Sequence, residues 1–165
     1  MRGLGIGVMR VRATLLGAAL IASFVTAFAP TGASATMRIS DDVGGRIGAY
    51  VDQYSEVRNS GERVVIDGAC LSACTLVLGI VPPDRVCVTD GAMLGFHAAW
   101  RPNAFGGKSP AADQTQRMLE SYPASVRQWL SRQGGLSSHM VFAHGRTLNA
   151  MVRRCPPQAQ ARLDY

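Results

Sequence analysis

The chain has 165 residues, with 17 Lys and Arg against 11 Asp and Glu, which gives a formal net charge of +6. Its basic residues are mostly scattered arginines with no interleaved aromatic cluster, so the composition gives no support for a nucleic-acid-binding class. The length allows one domain with a small core.

The first 35 residues have the pattern of an export signal. Arginines precede an apolar run from Ala13 to Ala29, and Ala33-Ser34-Ala35 supplies the small residues that a signal peptidase accepts. We expect cleavage after Ala35, which places the mature protein in the periplasm or outside the cell. Because the apolar run is long for a signal, an uncleaved anchor is the alternative, and membrane contact is expected only in that case.

The mature part then alternates between strand and helix patterns. Strand patterns recur with helix patterns between them, and this order predicts a parallel sheet with right-handed crossovers, the α/β class. The predicted elements are a strand Met37–Ser40, a Gly44-Gly45 turn, a helix with apolar residues at three-and-four spacing from Ile47 to Val57, a strand Arg63–Asp67, a helix from Ser72 to Ile80, and strands Arg85–Thr89 and Ala92–His97.

Beyond His97 the pattern changes to loop and helix. A single domain of residues 36–155 with a helical C-terminal part is expected, followed by a loose tail of residues 156–165. The predicted elements are a loop over residues 100–110, a helical region from about Ala112 to Gln133 kinked at Pro123, a shorter helix capped by Ser137 and running to about His144, and one more turn at Leu148–Val152.

All four cysteines lie in the mature part, and an even number in an exported chain favours disulfides. Three pairings are open, and we expect Cys155 to tie the tail to the core. The cysteines do not form two C-x-x-C pairs, and two nearby histidines lie five residues apart, off a common helical face, so neither a metal nor another cofactor is expected. These residues are Cys70, Cys74, Cys87, Cys155, His139 and His144.

Ser72 and His97 are candidates for nucleophilic catalysis. Each follows a strand pattern, where an α/β protein presents side chains for chemistry. A serine hydroxyl is a poor nucleophile alone, but a neutral histidine within hydrogen-bond reach can take its proton. The structural alternative makes Ser72 the N-cap of its helix and His97 a satisfied histidine at a strand end.

Four features occur in order between residues 41 and 100. They are the Gly44-Gly45 turn that opens a helix, a strand into Cys70-Leu71-Ser72-Ala73, the strand Arg85-Val86-Cys87-Val88, and Leu94-Gly95-Phe96-His97-Ala98. In this order and spacing they resemble the Clp-type serine peptidases, a branch of the crotonase-like fold.

The resemblance implies a truncated Clp-like fold of an exported, periplasmic branch that acts on peptides or proteins. It makes Ser72 the nucleophile and His97 the general base. It also implies an oxyanion hole formed by the backbone N–H groups of Gly45 and Ala73.

Two features depart from that family. No Asp or Glu occurs in Gly135–Val152, where the acid of the triad would belong, so Asp113, Asn149 or no third residue must serve. The mature chain also begins almost at the Gly-Gly turn, so the early strands of the family domain are missing. The open sheet edge then calls for a second copy or a partner chain.

Two other functions stay open. A degenerate crotonase-like domain would bind an extended peptide or a partner without cutting it, and its Ser72 would not react. A Ser–Lys hydrolase would use Lys108 as its base, which requires a desolvated, neutral lysine. The Gly- and Pro-rich loop around Lys108 predicts an exposed lysine instead.

Overall fold

The computed structural model describes residues 35–157. Residues 1–34 of the predicted export signal lie outside this range, and so do residues 158–165 of the predicted tail. The strands are β1 Thr36–Asp42, β2 Arg63–Leu71, β3 Val86–Val88, β4 Met93–Phe96, β5 Trp100–Pro102, β6 Lys108–Pro110 and β7 Val141–His144. The helices are α1 Ile47–Ser60, α2 Val77–Ile80, α3 Ala112–Ser121, α4 Ala124–Arg132 and α5 Gly145–Asn149.

Strand β2 is the centre of the main sheet. β1 pairs with it in parallel along one side, while β3 and β4 pair with it in parallel, one after the other, along the opposite side. β7 then pairs antiparallel with β4. Helices connect β1 to β2 and β2 to β3, as parallel neighbours require. The predicted α/β class with a parallel sheet and crossover helices is therefore confirmed.

The composition of β2 explains its central place. Val64, Val65 and Ile66 form a continuous buried run, which is typical of a parallel strand covered on both faces. On one face lies the main core, to which α1, α3 and α4 contribute large buried side chains. These are Tyr54 from α1, Met118 from α3 and Leu130 from α4; Tyr122, directly after α3, and Leu94 and Phe96 of β4 belong to the same core.

The opposite face of β2 holds a second, smaller cluster closed by a disulfide. Val65 packs there with Cys87 and Cys155, and the two cysteines are bonded across 68 residues of sequence. The backbone N–H of Cys155 also donates to the carbonyl of Val88 at 2.9 Å. The prediction that Cys155 ties the end of the chain to the core is confirmed.

Two stretches predicted as helix and loop are strands. Residues 141–144, placed in a helix from Ser137, form β7 because they satisfy the free side of β4 with backbone hydrogen bonds. Ser137 caps no helix, and its hydroxyl accepts from the N–H of His139 at 3.2 Å in a local turn. The loop over residues 100–110 is an antiparallel hairpin of β5 and β6.

Two helical elements also differ from prediction. The helix expected from Ser72 to Ile80 is a 3₁₀ segment, Ser72–Leu76, followed by the single turn of α2. The last helical turn falls at α5 rather than at Leu148–Val152. Within residues 35–157, no helix is long and apolar enough to cross a membrane.

Candidate active site

The backbone of Ser72 has an unusual conformation. Its φ is +57°, and it is the one non-glycine residue with positive φ in the described part of the chain. Such backbone costs free energy in an L-residue and is often found at functional sites. The N-cap position belongs to Leu71, and no side chain caps the segment. The alternative that Ser72 is only a helix cap is therefore wrong.

Covalent and polar contacts hold Ser72 on both sides. A disulfide joins Cys70 to Cys74, with Cα atoms 5.3 Å apart, so Ser72 lies in the middle of a closed loop. Thr75 donates its hydroxyl to the Ser72 carbonyl at 2.6 Å, and the same hydroxyl is 2.7 Å from the Tyr122 hydroxyl. Burial raises the pKa of Tyr122 to about 12, against a smaller lowering by Thr75, so this partner stays neutral.

The glycine turn between β1 and α1 packs directly against Ser72. Gly44 has a φ of +81°, and a Cβ built on it would lie 2.6 Å from the Ser72 Cβ and 3.0 Å from the Ala73 nitrogen. On Gly45 a Cβ would meet only the Tyr50 ring, at 3.4 Å. Gly44 is therefore the residue whose close contact with Ser72 leaves no room for a Cβ, whereas Gly45 is exposed.

A carboxylate fixes this turn. Asp42 accepts hydrogen bonds from the Gly44 N–H at 2.8 Å and from the Tyr50 hydroxyl at 2.6 Å. Burial, with further contributions from the hydrogen bond and charge of Asp42, raises the pKa of Tyr50 to about 12. Asp42 therefore holds the N–H of Gly44, the glycine that packs against Ser72.

His97 lies at the end of β4 and is half-buried. Its Nδ1 is 2.7 Å from the carbonyl oxygen of Ala98. A carbonyl can only accept a hydrogen bond, so Nδ1 must carry the proton. In the neutral ring Nε2 is then unprotonated, which is the form that a general base requires.

The acid suggested as a third residue is engaged elsewhere. Asp113 accepts from Arg101 at 2.6 Å and from Arg117 at 2.7 Å, and it is exposed. Desolvation acts to raise its pKa, but the charge of Arg101 and the bonds from Gln114 and Arg117 lower it below the ordinary value. Among the described side-chain hydrogen bonds, neither Asp113 nor Asn149 reaches His97, whose ring is oriented by the Ala98 carbonyl.

One open cavity brings Ser72 and His97 together. Its volume is about 540 Å³, and Ser72 and His97 both line it, with Gly45 in the same wall. His97 also lines a smaller cavity of about 350 Å³. We call them the larger and the smaller cavity. The larger is lined by Val43, Gly45, Arg46, Ile47, Gly48, Ser72, His97, Ala99, Trp100, Arg101, Pro102, Lys108, Gln114 and Met118.

Lys108 is placed to supply charge, not a neutral base. Its Nζ atom lies 4.3 Å from the centroid of the Trp100 ring, which is the geometry of a cation–π contact. The residue is exposed, so the desolvation needed for a neutral lysine is missing. His139 and His144 are exposed as well, and no metal-binding cluster of His, Cys, Asp or Glu occurs within residues 35–157.

No family model and no curated protein matches the chain. Solved structures similar to it include one described only as an enzyme, with 5% sequence identity, a TM-score of 0.48, and coverage of 73% of this chain and 77% of that one. Another is a peptidase from Plasmodium falciparum, with 5% identity, a TM-score of 0.45, and coverage of 73% and 78%. At TM-scores below 0.5, these likenesses carry no argument about activity.

Proposed function

We propose that the mature chain is an exported serine hydrolase of the peptidase type, related to the Clp-type peptidases. One observation carries the proposal: a strained Ser72 and a His97 whose ring is held with Nε2 free line the same cavity. The hydroxyl of Ser72 is not used as a helix cap. The two disulfides support an oxidising compartment, as expected for an exported protein.

The chemistry begins with attack by the Ser72 hydroxyl on a peptide carbonyl carbon, while Nε2 of His97 takes the hydroxyl proton. The resulting oxyanion accepts hydrogen bonds from the N–H groups of Ala73 and Gly45. The C–N bond then breaks, and His97 returns the proton to the leaving amine. Water, deprotonated in the same way, releases the acid from the acylated Ser72.

The Ala98 carbonyl does part of the work of a triad acid. It orients the ring and selects the tautomer, but it carries no full negative charge to stabilise the imidazolium that forms during attack. A dyad of this kind should therefore turn over more slowly than a complete triad. The same feature favours the second candidate, a peptide-binding module that retains the fold without cutting.

A fluorophosphonate probe separates the two candidates. The folded, oxidised wild type should be labelled, and both Ser72→Ala and His97→Ala should lose labelling without loss of fold. Their losses should be strongly non-additive, since the two residues act as one unit. Ser138→Ala is the matched control, because Ser138 is an exposed serine of the smaller cavity and has no part in the reaction. An unlabelled but folded wild type would favour the binding module.

The domain limits form part of the proposal. We propose that residues 1–35 are the export signal and that residues 36–155 are the working domain. Intact-mass measurement of exported protein should give a chain that begins at Thr36. A mass that retains residues 1–35 would show an uncleaved anchor and a protein held at the membrane.

A further inference from the structure

The walls of both cavities beside His97 are positively charged. Arg46, Arg101 and Lys108 line the larger cavity, and Lys108 also lines the smaller one. No Asp or Glu is among the lining residues of either cavity in the described part of the chain. The lining of the larger cavity is therefore cationic, although one of its residues, Arg101, forms a salt bridge with Asp113.

Only one of these three cations is neutralised by a carboxylate. Arg101 pairs with Asp113. Neither Arg46 nor Lys108 forms a salt bridge with any residue in 35–157, and the contact of Lys108 with Trp100 leaves its charge uncompensated. Arg46 directly follows the turn that packs on Ser72. Two unpaired cations thus lie on the cavity in which the reaction would occur.

We propose that this site selects peptides that carry a carboxylate near the bond to be cut, with Arg46 and Lys108 as the residues that recognise it. The inference rests on the proposed function, because it places a peptide carbonyl at Ser72. A carboxylate accepts charge-assisted hydrogen bonds from both cations, and its attraction is stronger in a partly enclosed cavity than at an open surface. A basic side chain at the same place would be repelled.

The carboxylate has two sources, an acidic side chain or the chain terminus, and the experiment distinguishes them. Ser72→Ala protein binds without cutting, so affinity is measured by fluorescence anisotropy. The probes are fluorescein-labelled pools of Ala-rich octapeptides with one Glu at each position in turn, and matched pools with Gln or with phosphoserine. Each pool is made with a free and with an amidated C terminus.

The Glu pool should bind about tenfold more tightly than the Gln pool if the side chain is recognised. If the C-terminal carboxylate is recognised, the free-acid pools should bind more tightly than the amidated pools by a similar factor. The preference should shrink at about 0.5 M salt, where charges are screened within a few ångströms. Equal binding of all pools, or no binding, would overturn the inference. Tighter binding of phosphoserine pools than of Glu pools would assign the site to phosphate and overturn it too.

Charge-removing variants test the named residues. Arg46→Gln and Lys108→Gln, each in the Ser72→Ala background, should reduce the preference severalfold. Arg132→Gln is the matched control, since Arg132 is an exposed arginine of α4 that lines neither cavity and has no salt bridge within the described residues. A similar loss in the control would show a general charge effect and contradict recognition by Arg46 and Lys108.

The two proposals fail in different ways. Fluorophosphonate labelling of the wild type without any carboxylate preference would support the hydrolase proposal and contradict the proposed selection of acidic peptides. A carboxylate preference without labelling would support carboxylate recognition by Arg46 and Lys108 but contradict the hydrolase and indicate a binding module.

Discussion

The segment that carries Ser72 and the segment that carries His97 are held in different ways. Ser72 lies inside the Cys70–Cys74 loop, and residues 73–78 behind it are buried. His97 is half-buried at a strand end, with one hydrogen bond to the adjacent Ala98 carbonyl. The chain after it runs into the β5–β6 hairpin, all but one of whose strand residues are exposed.

This difference suggests a division of work. The Ser72 segment is fixed by a disulfide, by packing and by the glycine turn, as the proposed attack by its hydroxyl would require. The hairpin beyond His97 supplies charge and surface to the cavity from an exposed position. We therefore expect changes near Ser72 to slow the reaction strongly and changes in the hairpin to alter its rate only modestly.

Gly44→Ala should produce the largest effect. The new methyl group would lie 2.6 Å from the Ser72 Cβ, so the turn and the serine must move apart. We expect fluorophosphonate labelling to slow by about 100-fold, from misplacement of the nucleophile and of the oxyanion donors. Gly134→Ala is the matched control, because its φ of +88° imposes the same strain while its Cβ would meet no atom within 4 Å. Equal loss in both variants would contradict the close-packing argument.

The two disulfides should separate reactivity from stability. Replacing both Cys70 and Cys74 by Ala opens the loop around Ser72, and labelling should slow by about 10- to 100-fold. Replacing both Cys87 and Cys155 releases a link across 68 residues and should lower the free energy of unfolding by about 2–4 kcal/mol. Labelling of the molecules that remain folded should then stay near the wild-type rate. Denaturant titration combined with labelling of both variants tests this, and the reverse pattern would contradict it.

The hairpin tip should tolerate change. Phe105 is 97% exposed and lines neither cavity. Phe105→Ser should leave labelling within about twofold of wild type and the free energy of unfolding within about 0.5 kcal/mol, as for ordinary surface positions. Rate and stability measured on the same sample test both statements. A loss as large as that of Gly44→Ala would show that the hairpin takes part in fixing the site.

Tyr50→Phe should have a much smaller effect than Gly44→Ala. It removes one hydrogen bond to Asp42, worth about 1 kcal/mol, and should slow labelling only severalfold. The pH dependence follows from the pKa of Tyr50, which the fold raises from 10.0 to about 12. A raised pKa means that the folded state retains the proton, so this contribution is complete below pH 10 and is lost as the pH rises towards 12.

Between pH 10 and pH 12, the free energy of unfolding should therefore fall less in Tyr50→Phe than in the wild type. The pKa of Tyr122 is also raised, and this residue remains in both proteins. The free energy of unfolding of the variant should therefore still fall as the pH rises, but by less. Urea titrations at pH 9, 10 and 11 compare the two proteins. Identical pH dependence would contradict the proposed role of the Tyr50–Asp42 hydrogen bond.

Most of the first half of the fold, apart from the segment after Ser72, was predictable from sequence because local pattern and tertiary structure agree there. The apolar run of β2 and the periodic face of α1 predict buried elements, and both are present. The sequence suggested a helix for β7 because Ser137 resembles a cap, yet pairing with β4 decided the outcome. In β5 and β6, prolines at the strand ends concealed the hairpin.

The candidate site was only partly predictable. Ser72 and His97 could be named from their positions after strands, and the structure brings both to one cavity. The positive φ of Ser72, the enclosing disulfide and the role of the Ala98 carbonyl depend on backbone geometry, which sequence patterns do not reveal. The steric role of Gly44 was missed for the same reason, although the Gly-Gly pair itself marked the turn.

The central claim is that His97 activates Ser72 as a nucleophile, and mass spectrometry of fluorophosphonate-treated protein tests it most directly. Intact mass should show one adduct per folded, oxidised chain, and fragmentation should place that adduct on Ser72. The adduct should be absent in His97→Ala under the same conditions. Unmodified wild-type protein, an adduct on another serine such as Ser138, or full labelling of Ser72 in the His97→Ala variant would contradict the account.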